Sequence, residues 1–226
     1  MRLVLLIKSL LLLLLLNGAL CSYANAASLA YEFTRVSSNS AENLGGQLGM
    51  LVTEQPGGAL FTFSNRLGVP ASITDIYFDD AQPVLFNSIA YHADSGVGVS
   101  FDSQAAPANL PGGNVIGFLA DFSGDANAQS VEGGVATKGV KKNGVNTADE
   151  WVSFLGLWAN AGSFDGLIAA FADGHFRVGL HVQAIGLAGR SDSYVNQPSP
   201  VPLPAAAWLF ASALFGFIVV ASRRKV

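Results

Sequence analysis

The sequence predicts an all-β protein: a β-sandwich, with a jelly roll as one form of it, carrying one short helix late in the chain. Three observations predict this. Large apolar residues alternate with polar ones at period two in several separate runs, so one side of each run faces a core. Turn formers break those runs at short intervals, with 25 Gly and 9 Pro in 226 residues. Between the two ends, one stretch, Ser163 to Gly174, spaces its apolar residues as a helix does.

Along the chain, Tyr31, Phe33 and Val36 suit a short first strand. Leu48, Met50 and Val52 alternate in the next, and Pro56-Gly57-Gly58 turns the chain into Leu60–Ser64, where Phe61 and Phe63 share a side. In Ala71–Asp80 the alternation puts Ile73 and Tyr77 on one side and Ile76 and Phe78 on the other. Val84–Tyr91 and Val97–Phe101 are weaker strands. Ala105–Gly113, with Pro107 and Pro111, reads as a surface loop, Val115–Phe122 as a fully buried strand and Ser123–Ala128 as loop, before the turn pair Gly133-Gly134. Lys142-Asn143-Gly144 suits a tight hairpin turn. Glu150–Trp158 is dense in large apolar residues. Ser163 caps a helix whose Leu167, Ile168 and Phe171 share a face, and Gly174 ends it. Phe176–Ile185 alternates as a strand, and 191–200 reads as a flexible polar spacer.

The two ends are of another kind. Arg2, Lys8, the Leu10–Leu16 run and Ala24-Asn25-Ala26 have the layout of a signal peptide cleaved after Ala26. The competing reading is an uncleaved anchor. At the other end, residues 203–222 carry no charge and Arg223-Arg224-Lys225 come immediately after. About 20 apolar residues span a bilayer core, and the basic end stays on the cytoplasmic side. The organisation predicted is thus 1–26 signal peptide, 27–190 exported domain, 191–200 spacer and 201–226 tail.

Cleavage after Ala26 would remove Cys21, the single cysteine, so the exported part would hold no disulfide and no thiol nucleophile. It would keep seven basic and sixteen acidic side chains, a formal charge of −9. That charge argues against nucleic acid and anionic lipid as partners.

Val201-Pro202-Leu203-Pro204, then Ala205-Ala206-Ala207-Trp208-Leu209, the apolar stretch and Arg223-Arg224-Lys225 resemble the PEP-CTERM protein-sorting domain, in its Val-Pro-Leu-Pro-Ala variant. Leu203 stands where the family's usual motif has Glu. The resemblance implies export by a Gram-negative bacterium through Sec-type machinery. It implies transient inner-membrane anchoring by the C-terminal helix, then processing near the Pro motif by an exosortase. The destination implied is the cell surface or an exopolysaccharide-rich extracellular matrix, as in a biofilm. Phe63-Ser64-Asn65 with Ile73–Asp80, and Arg177–Gly186 with Ser191–Asn196, are similar to the body of exported proteins that share this tail. No activity comes with that likeness.

No catalytic motif stands out. His-Glu-x-x-His, Gly-x-Ser-x-Gly and a phosphate-binding loop are all missing from the sequence. His175 and His181 lie six apart on one strand, about 20 Å, too far to share a metal along it. His181 reads as an ordinary structural or surface histidine. Asp75, Asp79, Asp80, Asp121 and Asp125 are candidate calcium ligands, although no EF-hand spacing is present and turn formation is the competing explanation. No other cofactor is indicated. Trp151, Trp158 and Tyr77 would stack on sugar rings if exposed; core packing is the competing explanation. The function expected is therefore a non-catalytic surface or matrix protein. The alternative is a carbohydrate-binding module acting on exopolysaccharide, and a third reading is hydrolysis by a carboxylate pair across a cleft.

Overall fold

The computed structural model describes residues 26–81, 84–96, 98–127, 141–160 and 162–197. The leader through Asn25 lies outside the described residues, Ala24 with it. So do Gly133-Gly134 and all of the sorting tail: Val201 to Pro204, the 203–222 stretch and Arg223-Arg224-Lys225. Among the described residues no helix is long and apolar enough to cross a membrane.

Ten strands are present: β1 (Ser28–Arg35), β2 (Leu48–Gln55), β3 (Gly58–Asn65), β4 (Ser72–Asp80), β5 (Phe86–Asp94), β6 (Phe101–Ser103), β7 (Phe122–Ala126), β8 (Trp151–Trp158), β9 (Phe176–Ile185) and β10 (Arg190–Asn196). One α-helix, α1 (Phe164–Asp173), separates β8 from β9. The protein is mostly β, as the alternation predicts. The architecture differs from a sandwich of two separate sheets. All ten strands form one antiparallel sheet, ordered β5-β8-β3-β2-β1-β10-β9-β4-β7-β6 and nearly closed into a barrel. The reason is β1. Its first five residues, Ser28 to Glu32, pair with β2, and its last three, Phe33 to Arg35, pair with β10. One strand thereby joins both halves. The two edge strands meet on the far side, where the Tyr91 N–H donates to Ser103 Oγ at 3.3 Å.

The inside is aromatic. Phe61 and Phe63 on β3 and Phe154 on β8 face Phe78 on β4 and Phe176 on β9, all fully buried. Phe61 and Phe78 lie 5.3 Å apart edge to face, and Phe78 and Phe154 lie 5.7 Å apart. Such tilted contacts add to the stabilisation from burial. Helix α1 forms as its sequence predicts. The Ser163 side chain accepts from the Gly166 N–H, and Gly174 ends the helix at φ 74°. Phe164, Leu167 and Phe171 are buried in the core, Phe171 against Tyr31 at 4.3 Å. Burial pushes the Tyr31 phenol up to about 12.

Several local expectations are corrected. A bulge between Ile73 and Asp75 resets the alternation of β4. Ile73 joins Ile76 and Phe78 in the core, and Tyr77 points out with Asp75. Val115–Phe122 is not a buried strand. Gly113–Ile116 is a 3-10 turn, and Val115 and Leu119 are 80% and 68% exposed. Phe122–Ala126, largely expected as loop, is β7. Ala105–Gly113 is more than a surface loop, since Ala105 and Leu110 are buried. Lys142-Asn143-Gly144 lies in a turn, and among the described residues Val145, just after it, makes a single bridge to Ile73. The expected spacer contains β10, which pairs with both β1 and β9, so the folded domain runs past residue 190.

Candidate functional site

The outward face of β10, β9, β4 and β7 is not bare. Residues 104–120 fold over it. Leu110 and Phe118 lie on Tyr77 in a small cluster separate from the main core. Gly179 makes room for them: a Cβ there would meet Leu110 Cδ2 at 2.9 Å. The Tyr77 hydroxyl donates to the Pro107 carbonyl at 3.1 Å. Burial, then the charges of Asp75 and Asp125, raise that phenol far above its ordinary value.

Arg177 fastens the cover. Its Nε donates to Asp79 Oδ2 at 3.1 Å, its Nη1 to the Ile116 carbonyl at 2.9 Å and its Nη2 to the Gly117 carbonyl at 2.6 Å. The guanidinium also lies over the Phe118 ring, 5.3 Å from its centre. Asp79 accepts in addition from the Leu119 N–H at 3.2 Å.

Beside the cover, register builds a polar row. Ser193 on β10 stands opposite His181 on β9, and His181 stands opposite Asp75 on β4. Asp75 in turn stands opposite Asp125 on β7, and Asp125 opposite Asp102 on β6. Asp75 and Asp125 are buried; Asp102 is exposed. Asp75 Oδ2 lies 2.9 Å from His181 Nδ1 and accepts from the Thr74 hydroxyl at 2.7 Å. A buried carboxylate needs such donors, because desolvation without them is costly. His181 borders a cleft of about 260 Å³ with Ser37, Asn39, Ser191 and Ser193.

The five acidic candidates do not gather at one centre. Asp79 serves Arg177. Asp80 accepts from the N–H groups of Leu85 and Phe86 at 3.0 and 2.9 Å, and Asp121 accepts from the Asp80 N–H at 2.8 Å. Burial raises the Asp80 carboxyl above the usual range, and those two N–H groups partly offset it. Asp75 and Asp125 are neighbours on one sheet under the cover, not acids facing across a cleft. Among the described residues no three of His, Cys, Asp and Glu are disposed to hold a metal ion.

No protein-family model, curated protein or solved structure matches this chain. The site stands on its own geometry.

The tryptophans divide. Trp158 is half-buried and stacks on Phe86 at 4.7 Å, so it packs the core. Trp151 is 37% exposed at the start of β8. The sequence reading missed the Asp75–His181 pair and the cleft beside it. A signal was present: an acid inside Ile73–Phe78 and a histidine inside Val178–Val182, each interrupting an otherwise apolar strand. Polar groups so placed require partners.

Proposed function

We infer that the chain is an exported, non-catalytic protein of a Gram-negative bacterial surface or extracellular matrix. It crosses the inner membrane through Sec-type machinery, stops on its C-terminal helix and passes to an exosortase. The observation that carries this is the order of the tail: Val201-Pro202-Leu203-Pro204, an uncharged stretch over 203–222, then Arg223-Arg224-Lys225. Two further facts support it. The chain has one cysteine, Cys21, inside the proposed leader. The last strand, β10, ends at Asn196, five positions before Val201 in the sequence. We read that body as a flattened, sandwich-like barrel displayed outside the cell.

Intact-mass measurement of the protein recovered from cells and medium tests this, with a Pro202→Ala/Pro204→Ala variant beside the wild type. The wild type is expected to lack about the first 26 residues and everything after the Pro motif. The variant is expected to keep its tail and stay in the membrane. A wild-type protein that retains residues 201–226 overturns the processing reading.

The second reading is a carbohydrate-binding module for exopolysaccharide. The hydroxyl-lined cleft beside His181 supports it, rather than the tryptophans.

A further inference from the structure

The cleft beside His181 has a definable chemistry. Nδ1 faces Asp75 on β4, at 2.9 Å. Nε2 lies across the ring from that bond, and His181 lines the cleft together with Ser193, which stands opposite it on β10. No described residue hydrogen-bonds Nε2. A buried carboxylate thus holds the ring with its second nitrogen unused, beside a cleft of about 260 Å³.

The neighbouring acid is already occupied. Asp192 is buried and accepts from the Ser37 hydroxyl at 2.9 Å, the Asn39 N–H at 2.7 Å and the Ser40 N–H at 3.0 Å, with Arg35 at 3.9 Å. Ser37 Oγ also accepts the Ser193 N–H at 2.9 Å, and the Asn39 side-chain amide donates to the Ser191 carbonyl at 3.1 Å. Asp192 therefore builds the wall. The capacity left for a ligand is His181 Nε2, the hydroxyls of Ser191 and Ser193, and the Asn39 amide oxygen. Pro111 and Gly112, from the cover, supply an uncharged side.

These groups select a ligand class. Asp75 and Asp192 stand next to the cleft in a domain of formal charge −9, which disfavours anions. A hydroxyl donates to a neutral Nε2 and accepts from a protonated one, so it fits both states of the ring. The volume lies just below the ~300 Å³ at which pockets for drug-sized ligands begin. Among the described residues no Phe, Tyr or Trp lines the cleft, so recognition rests on hydroxyls rather than on a stacking platform. We propose that this cleft binds one neutral saccharide residue, through hydroxyls bonded to His181 Nε2 and to the serine and asparagine groups around it.

The proposal deepens the carbohydrate reading and is independent of tail processing, which the mass measurement tests separately. The test uses the full chain in zwitterionic, sugar-free micelles. The imidazole NMR signals of His181 are followed while neutral monosaccharides (glucose, galactose, mannose, N-acetylglucosamine) are added up to about 100 mM, a range that covers weak binding. At least one sugar is expected to shift the His181 signals saturably, with a Kd on the order of 1 mM. Ser193→Ala, read from the same His181 signals, and His181→Gln, read from the backbone amide signals of Ser191 and Ser193, are each expected to weaken binding about tenfold, the loss of one good hydrogen bond. Trp151→Ala is expected to change it less than about twofold, since Trp151 lies off the cleft. Circular dichroism confirms that each variant is folded, and Ser193→Ala carries the test if His181→Gln is not. The proposal falls if no neutral sugar moves the His181 signals of the folded wild type. It also falls if Trp151→Ala abolishes binding, or if sulfate binds more tightly than every sugar.

Discussion

Strand β4 is buried on both sides, and its two sides are built from different chemistry. Inward, Ile73, Ile76 and Phe78 meet an apolar interior. Outward, Asp75, Tyr77 and Asp79 meet the covering segment and the neighbouring strands. The inner side is held by volume and shape, which tolerate exchange among apolar residues of similar size. The outer side is held by directed bonds, and each missing partner leaves a buried polar group behind. The inner side thus accounts for bulk stability. The outer side decides where the cover lies and which way His181 points.

The largest effect should come from the inner side. Phe78→Ala is expected to cost about 3–5 kcal/mol in urea unfolding, because Phe78 touches both halves of the barrel and leaves a cavity. Asp79→Ala should cost less, about 2–3 kcal/mol, since Arg177 is left without its carboxylate but is partly exposed. The decisive readout there is hydrogen exchange: the Leu119 N–H, which donates to Asp79, should lose protection while Phe78 keeps its own. Uniform loss across the barrel would show that cover and core are one unit and would erase the contrast. The gentlest probe is pH. The Asp80 carboxyl is raised in the folded state, so the stability it contributes is complete below its unfolded value and declines as pH rises through the folded one. Asp80→Asn should flatten that part of the profile. Thermal melts from about pH 3 to pH 7 measure it, a range that brackets an ordinary carboxylate. An unchanged slope would mean that Asp80 is not its source.

Elements whose signal was local were legible in the sequence. Ser163 and Gly174 marked both ends of α1, and Gly57, at φ 79°, sits in the turn joining β2 to β3. What escaped depended on distant partners. Ser191-Asp192-Ser193 looks like a linker until Ser37, Asn39 and Ser40 are brought to Asp192. Ser123-Gly124-Asp125 looks like a loop until the cover satisfies its outer side, with Ser123 accepting from the N–H groups of Gln104 and Ala105. Val115 and Leu119 look like core, yet Arg177 holds that segment by its carbonyls, so those side chains stay outside. The Asp75–His181 pair joins residues 106 apart in the chain, and no local pattern links them.

The place of β10 has a consequence for timing. A chain exported N-terminus first delivers Arg190–Asn196 last, and these residues belong between β1 and β9. Before they emerge, two strands wait with open edges outside the membrane. On the export reading, the barrel seals only when the C-terminal helix is already entering the bilayer. Only residues 197–200 then separate the finished barrel from Val201, about 14 Å of fully extended chain. That clearance is narrow for a membrane-embedded protease. On that same reading, a protease acting at Val201 would do its work in the shadow of a domain already folded.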